Sequence, residues 1–133
     1  MKELKIEAKT ENLDAVLDFI NAELDRKNCS MKVQHQIDIA VEEIFVNIAH
    51  YAYNPIIGDA IIRIAVSGEI SIEFEDAGKP YNPLEKDDPD ITASAEEREV
   101  GGLGIFIAKK IMDTLEYRHE DNKNIFVIKK HLI

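Results

Sequence analysis

Tryptophan is absent, cysteine occurs once, and no stretch approaches the roughly 18 consecutive apolar residues of a membrane-spanning helix. A lone Cys29 excludes an intrachain disulfide and any multi-cysteine zinc site, and its ordinary reading is a buried or half-exposed residue rather than a reactive thiol. The opening MKELKIEAKTENLD lacks the apolar core of a signal peptide, so neither a membrane span nor secretion is expected and the reading is a cytoplasmic protein. Clusters of Lys and Arg are also missing. With 16 basic against 26 acidic residues the net charge is −10, which argues against a surface that tracks nucleic-acid phosphates. What is present is enough apolar material for one core: 45% of 133 residues, with no repeat or linker, which predicts a single domain over residues 1–133. Half of the net charge lies in residues 85–100, where seven acids meet two bases. Such a run is a solvated loop, or a lid that orders when something binds beneath it.

The chain is organised around Gln36 to Tyr53, QIDIAVEEIFVNIAHYAY. At about 100° per residue Ile37, Val41, Ile44 and Ile48 share one face, and Ile39 and Val46 flank a narrow polar wedge of Gln36, Glu43, Asn47 and His50. A helix apolar around most of its circumference is expected to be buried, and a carboxylate and a carboxamide one turn apart within it require partners.

Before it, Leu4, Ile6 and Ala8 alternate as in a half-buried strand, and Leu13, Val16, Leu17, Ile20 and Leu24 recur as on an amphipathic helix from Glu11 to Arg26. Thr10 is the expected cap of that helix and Ser30 of the central one. Pro55 ends the central helix near Tyr53. Two strands, 60–66 and 69–75, follow around Ser67-Gly68. DAGKPYNP then stops the second strand and leaves Asp76 at its end. Past the acidic run, Ile105, Ile107, Ala108, Ile111, Met112 and Leu115 form a helical stripe opened by three glycines. Leu115 to His119 and Asn124 to His131 read as a final hairpin turned at Asp121-Asn122-Lys123. This order predicts an α+β protein: a two-layer α/β sandwich with a mixed, mostly antiparallel sheet and helices on one face.

Three segments carry chemistry. Glu43 can serve as a general base, and the amide oxygen of Asn47 suits a hard cation such as Mg2+; alternatively the two hydrogen-bond each other or nearby backbone. Asp76 can accept from an exocyclic amine such as that of adenine, with Gly78 allowing close backbone approach, or it can be simple turn chemistry. Gly101, Gly102 and Gly104 open a helix whose free N–H groups suit an anion, or they form a hinge and packing point. They match a dinucleotide fingerprint only loosely, and the P-loop pattern is absent. The four histidines show no pairing that suggests a metal site, and His50 reads as a satisfied core residue. Arg98 either meets a terminal phosphate or offsets its acidic neighbours.

The ordered set EEIFVNIAHYAY, DAGKPYNPL and GGLGIFIAKKIMD resembles the N, G1 and G2 boxes of the Bergerat-fold, or GHKL, ATPases, over nearly the whole chain. Within that superfamily it is most similar to the free-standing anti-sigma-factor serine/threonine kinases. The resemblance implies ATP and Mg2+ as cofactors, Glu43 as catalytic base, and Asn47 as Mg2+ ligand bridging to the phosphates. It further implies that Asp76 receives the adenine amino group with Gly78 beneath the base, and that Gly101, Gly102 and Gly104 fold over the triphosphate while Leu103 and Ile105 wall the site. Residues 84–100 would be the ATP lid. The implied partners are an anti-anti-sigma-type protein substrate and a competing sigma factor, with a homodimer through the first strand or helix as an open alternative to ordinary core packing there. Two departures stand out: Val127 occupies the place where relatives commonly have a threonine supporting the aspartate-adenine network, and Tyr51 takes the place of a histidine, with His50 one position early. The alternatives are a nucleotide-binding regulator that sequesters a partner without phosphorylating it, and an interaction domain with a degenerate nucleotide site.

Overall fold

The computed structural model describes residues 1–53, 57–85 and 102–132. Gly101, Arg98 and nearly all of the proposed lid lie outside the described residues. Five strands, β1 (Lys2–Glu7), β2 (Asp59–Val66), β3 (Glu69–Asp76), β4 (Thr114–Glu120) and β5 (Lys123–His131), form one sheet in the order β1-β2-β3-β5-β4. Each of the four pairings is antiparallel, including β3 with β5. Among the described residues three α-helices, α1 (Leu13–Arg26), α2 (Met31–Asn47) and α3 (Gly102–Ile111), complete the α+β fold. None of the described helices is long and apolar enough to cross a membrane.

Local chemistry accounts for most boundaries. Ser30 caps α2 as expected, its Oγ accepting from Val33 N at 3.2 Å. Just before it, α1 ends with Asn28 in the left-handed region (φ 61), Asn28 N donating to Asp25 O and Cys29 N to Leu24 O. These two bonds satisfy helix carbonyls that would otherwise be left open. The expected cap of α1 is wrong. Thr10 begins a separate 3-10 turn, Thr10–Asn12, and its hydroxyl donates to Glu11. Asn12 holds the cap position and spends its own side chain on Glu7 O at 2.9 Å, tying the helix entry to β1.

The helices cover one face of the sheet. Val16, Ile20, Leu24, Ile37, Val41 and Phe45 meet Ile62, Ile64, Ile70, Ile72, Phe74 and Ile128, all with no measurable exposure. On the other face Arg63 gathers Glu3, Glu73 and Glu75 at 2.8, 2.6 and 3.2 Å. The central helix is not buried all round: Ile39 is 45% exposed and His50 stands exposed rather than in the core. Its inward face is nevertheless the one expected, Ile37, Val41 and Ile44, joined by Phe45. The last stripe also ends sooner than its periodicity suggests. α3 stops at Ile111, Met112 stays buried beneath it, and Leu115 already belongs to β4.

Candidate functional site

Crossing from β3 through α3 to β4 lets the chain insert β5 beside β3, and this brings Asn124 opposite Asp76. α2 passes over the same sheet end, and its last residue, Asn47, is followed by one turn of π-helix, Ile48–Ala52. The DAGK turn rests on that turn. Lys79 N donates to Ala52 O at 3.0 Å, and a Cβ at Gly78 would lie 2.2 Å from the same oxygen. Only glycine fits there, so its close approach is to the protein's own backbone.

Asn47 is 7% exposed and donates through Nδ2 to Glu43 Oε1 at 3.2 Å. A carboxylate only accepts when ionised, so the amide must present its NH2 group to Glu43 and turn Oδ1 away. The mutual hydrogen bond is thus real, and it leaves an oxygen of the type a hard cation takes. On its other side Glu43 meets α3: a Cβ at Gly104 would lie 1.9 Å from Glu43 Oε2. The glycine at this point of the first turn of α3 makes room for the carboxylate. Gly102 and Leu103 begin the same helix. Ile105 is 3% exposed and packs in the core.

Asp76 is 5% exposed. Its Oδ1 accepts from Gly78 N and from Asn124 Nδ2, both at 2.9 Å, while no described residue donates to Oδ2. Burial pushes the Asp76 carboxyl above the ordinary aspartate value, and the bonds from Asn124 and Gly78 pull against that push. Asp76, Asn47 and Asn124 line one apolar cleft together with Ile44, Ile48 and Phe126, walled by Tyr81 and Tyr117. Its free volume of about 30 Å³ holds one or two waters rather than a purine. A ligand of that size must displace part of the wall, where Tyr81 stacks on Tyr51 at 4.8 Å.

Glu43, Asn47, Asp76, Gly78 and Gly104 therefore come together. Val127 does not join them: it pairs with Glu73 and Glu116 on the outer face of the sheet. The residue beside Asp76 is Asn124. The hairpin turn carried a usable signal, since Asp121 and Asn122 have φ of 53 and 60 and start β5 at Lys123, but the pairing of β5 with β3 had no local signature. Among the described residues no three His, Cys, Asp or Glu side chains cluster as a metal site.

A sequence profile of the histidine kinase-like ATPase domain matches residues 6–130. The chain belongs to that family. It is similar to the anti-sigma F factor of Caldanaerobacter subterraneus, 28% identical over 128 residues that cover 96% of this chain and 90% of the relative. It is also similar to the serine-protein kinase RsbW of Bacillus anthracis, 25% identical over 132 residues covering 96% and 82% of the two chains. The serine/threonine-protein kinase BtrW of Bordetella bronchiseptica is 24% identical over 110 residues, 80% of this chain and 76% of its own.

Proposed function

We propose that this histidine kinase-like ATPase domain binds ATP with Mg2+ in the cleft beside Asp76 and acts as a cytoplasmic anti-sigma-type regulator. On this reading it phosphorylates a serine or threonine of an anti-anti-sigma-type protein. A sigma factor would be the partner bound in competition. The observation that carries the reading is the Asp76 carboxyl, which lines an apolar cleft and has Oδ1 held by two donors while no described residue donates to Oδ2. An open acceptor on a residue that lines a cleft suits a donor such as the adenine amino group. The names of the relatives supply the sigma factor and the serine or threonine acceptor, and the anti-anti-sigma class is what the resemblance of the motifs implies.

The residues fit the two groups chemically. Asn47 Oδ1 would hold Mg2+, which neutralises phosphate charge when bound. Phosphoryl transfer asks the protein mainly for positioning and charge stabilisation. Glu43 would take the proton of the incoming hydroxyl as its oxygen attacks the terminal phosphorus and ADP leaves. The N–H groups at the start of α3, from Gly102 onward, would face phosphate oxygens, with Gly101 and residues 84–100 closing over them. Entry of adenine would move Tyr81 and its neighbours.

The test is calorimetric titration of residues 1–133 with ATP and Mg2+, followed by radiolabelled transfer to candidate partner proteins with Glu43→Ala alongside. The kinase reading expects Glu43→Ala to keep nucleotide binding and to lose about 100-fold or more of the transfer rate. A regulator that only sequesters its partner is the second reading, motivated by the engagement of Glu43 with Asn47 and its contact with Gly104. It expects Glu43→Ala to leave regulation intact. A well-folded chain that binds no ATP at millimolar concentration refutes both.

A further inference from the structure

Behind Asp76 stand two residues outside the three motifs, Asn124 and Tyr117. Asn124 is 4% exposed, and its carboxamide is fully committed. One amide hydrogen goes to Asp76 Oδ1 at 2.9 Å and the other to Lys79 O at 2.9 Å, while Oδ1 accepts from the Tyr117 hydroxyl and from Tyr81 N at 3.4 Å. A carboxamide has two donor hydrogens and one acceptor oxygen. Turned over, it would set its oxygen against the Asp76 carboxylate and the Lys79 carbonyl and its NH2 group against the Tyr81 N–H. The amide therefore has one orientation, and the Tyr117 hydroxyl, donating to its oxygen, strengthens the donation to Asp76.

The consequence falls on Asp76. Gly78 N and Asn124 Nδ2 clamp Oδ1 between two donors, so rotation of the carboxylate would break both bonds. We infer that Tyr117 and Asn124 form a positioning relay that makes the cleft selective for a base carrying an amino group, by holding Asp76 with Oδ2 as its free acceptor. The inference rests on the nucleotide reading above and concerns which base that site prefers. Both residues act through Asp76. The part they exert through Asp76 is felt only by a ligand that donates to Oδ2, whereas their share in lining the cleft affects all nucleotides alike.

The test compares ATP with purine riboside triphosphate, which lacks only the 6-amino group, by calorimetry with Mg2+ on the wild type, Tyr117→Phe and Asn124→Leu. The wild type prefers ATP. Tyr117→Phe narrows that preference by about 2- to 12-fold, the worth of one net hydrogen bond, by weakening ATP and leaving the analogue unchanged; Asn124→Leu narrows it at least as far. Should Asn124→Leu fail to fold, Tyr117→Phe alone decides. A preference left intact by the variants, or an equal loss for both nucleotides, overturns the relay and leaves the nucleotide site standing. A wild type that binds the two alike also overturns it. A wild type that binds neither removes the site, and the relay with it.

Discussion

Asp76→Asn turns the chemistry of the cleft around, and the structure says in which direction. The two donors that hold Oδ1, Gly78 N and Asn124 Nδ2, both at 2.9 Å, require an acceptor in that place. The asparagine carbonyl must therefore occupy it, and the new NH2 group must replace Oδ2. ATP then meets a donor where its amino group needs an acceptor. Loss of a hydrogen bond to a charged group is worth about 1.5–3 kcal/mol, so ATP affinity falls by about 13- to 160-fold at 25 °C. Inosine triphosphate, with a carbonyl at the same ring position, loses far less, and the order of preference reverses. Stability should not suffer, because the substitution removes a buried charge that desolvation already disfavours. Calorimetry with both nucleotides and a thermal melt decide the matter. ATP binding within about threefold of wild type, well inside the loss expected for a charged hydrogen bond, would refute a base-binding role for Asp76. A large fall in melting temperature would make its role structural.

The raised Asp76 pKa makes ATP binding pH-dependent. Protonation of Asp76 weakens Oδ2 as an acceptor or makes it a donor, so affinity fades on acidification above the range in which an ordinary aspartate titrates, with burial the main cause of the rise, Glu75 reinforcing it and His119 opposing it. In the ligand-free protein the sign is opposite: stability from the protonated group is present below the unfolded value and lost as pH rises through the folded one. Asp76→Asn flattens both profiles, measurable by titration calorimetry and melts across pH. Gly104→Ala places a methyl 1.9 Å from Glu43 Oε2, so carboxylate or helix must shift; phosphotransfer should fall by at least about 100-fold, the scale of a misplaced general base, with ATP affinity much less affected. Equal activity would show that Glu43 is not the base. Ser30→Ala removes the acceptor for Val33 N and should cost about 0.5–2 kcal/mol in urea unfolding, without changing nucleotide affinity.

What the sequence determined by itself is what acts over a few residues. The inward stripe Ile37, Val41 and Ile44, the Ser30 cap and the turn at Ser67-Gly68 all follow from spacing and side-chain chemistry within one or two turns of chain. The ordered motifs likewise point to Glu43, Asn47 and Asp76. Where local evidence competes with distant packing, it fails. Asn12 is drawn to Glu7, so Thr10 does not cap α1. α2 covers a sheet on one side only, so Ile39 faces outward, and so does His50 in the π-helical turn that follows. The selection of Asn124 over Val127 belongs wholly to the tertiary structure. Side chains alternate along a strand, and which of them meets Asp76 depends on how β5 is registered against β3 across 48 residues of chain. That register is set by the burial of Phe74, Phe126, Ile72 and Ile128 beneath the helices, because a slip of one residue would turn all of β5 inside out.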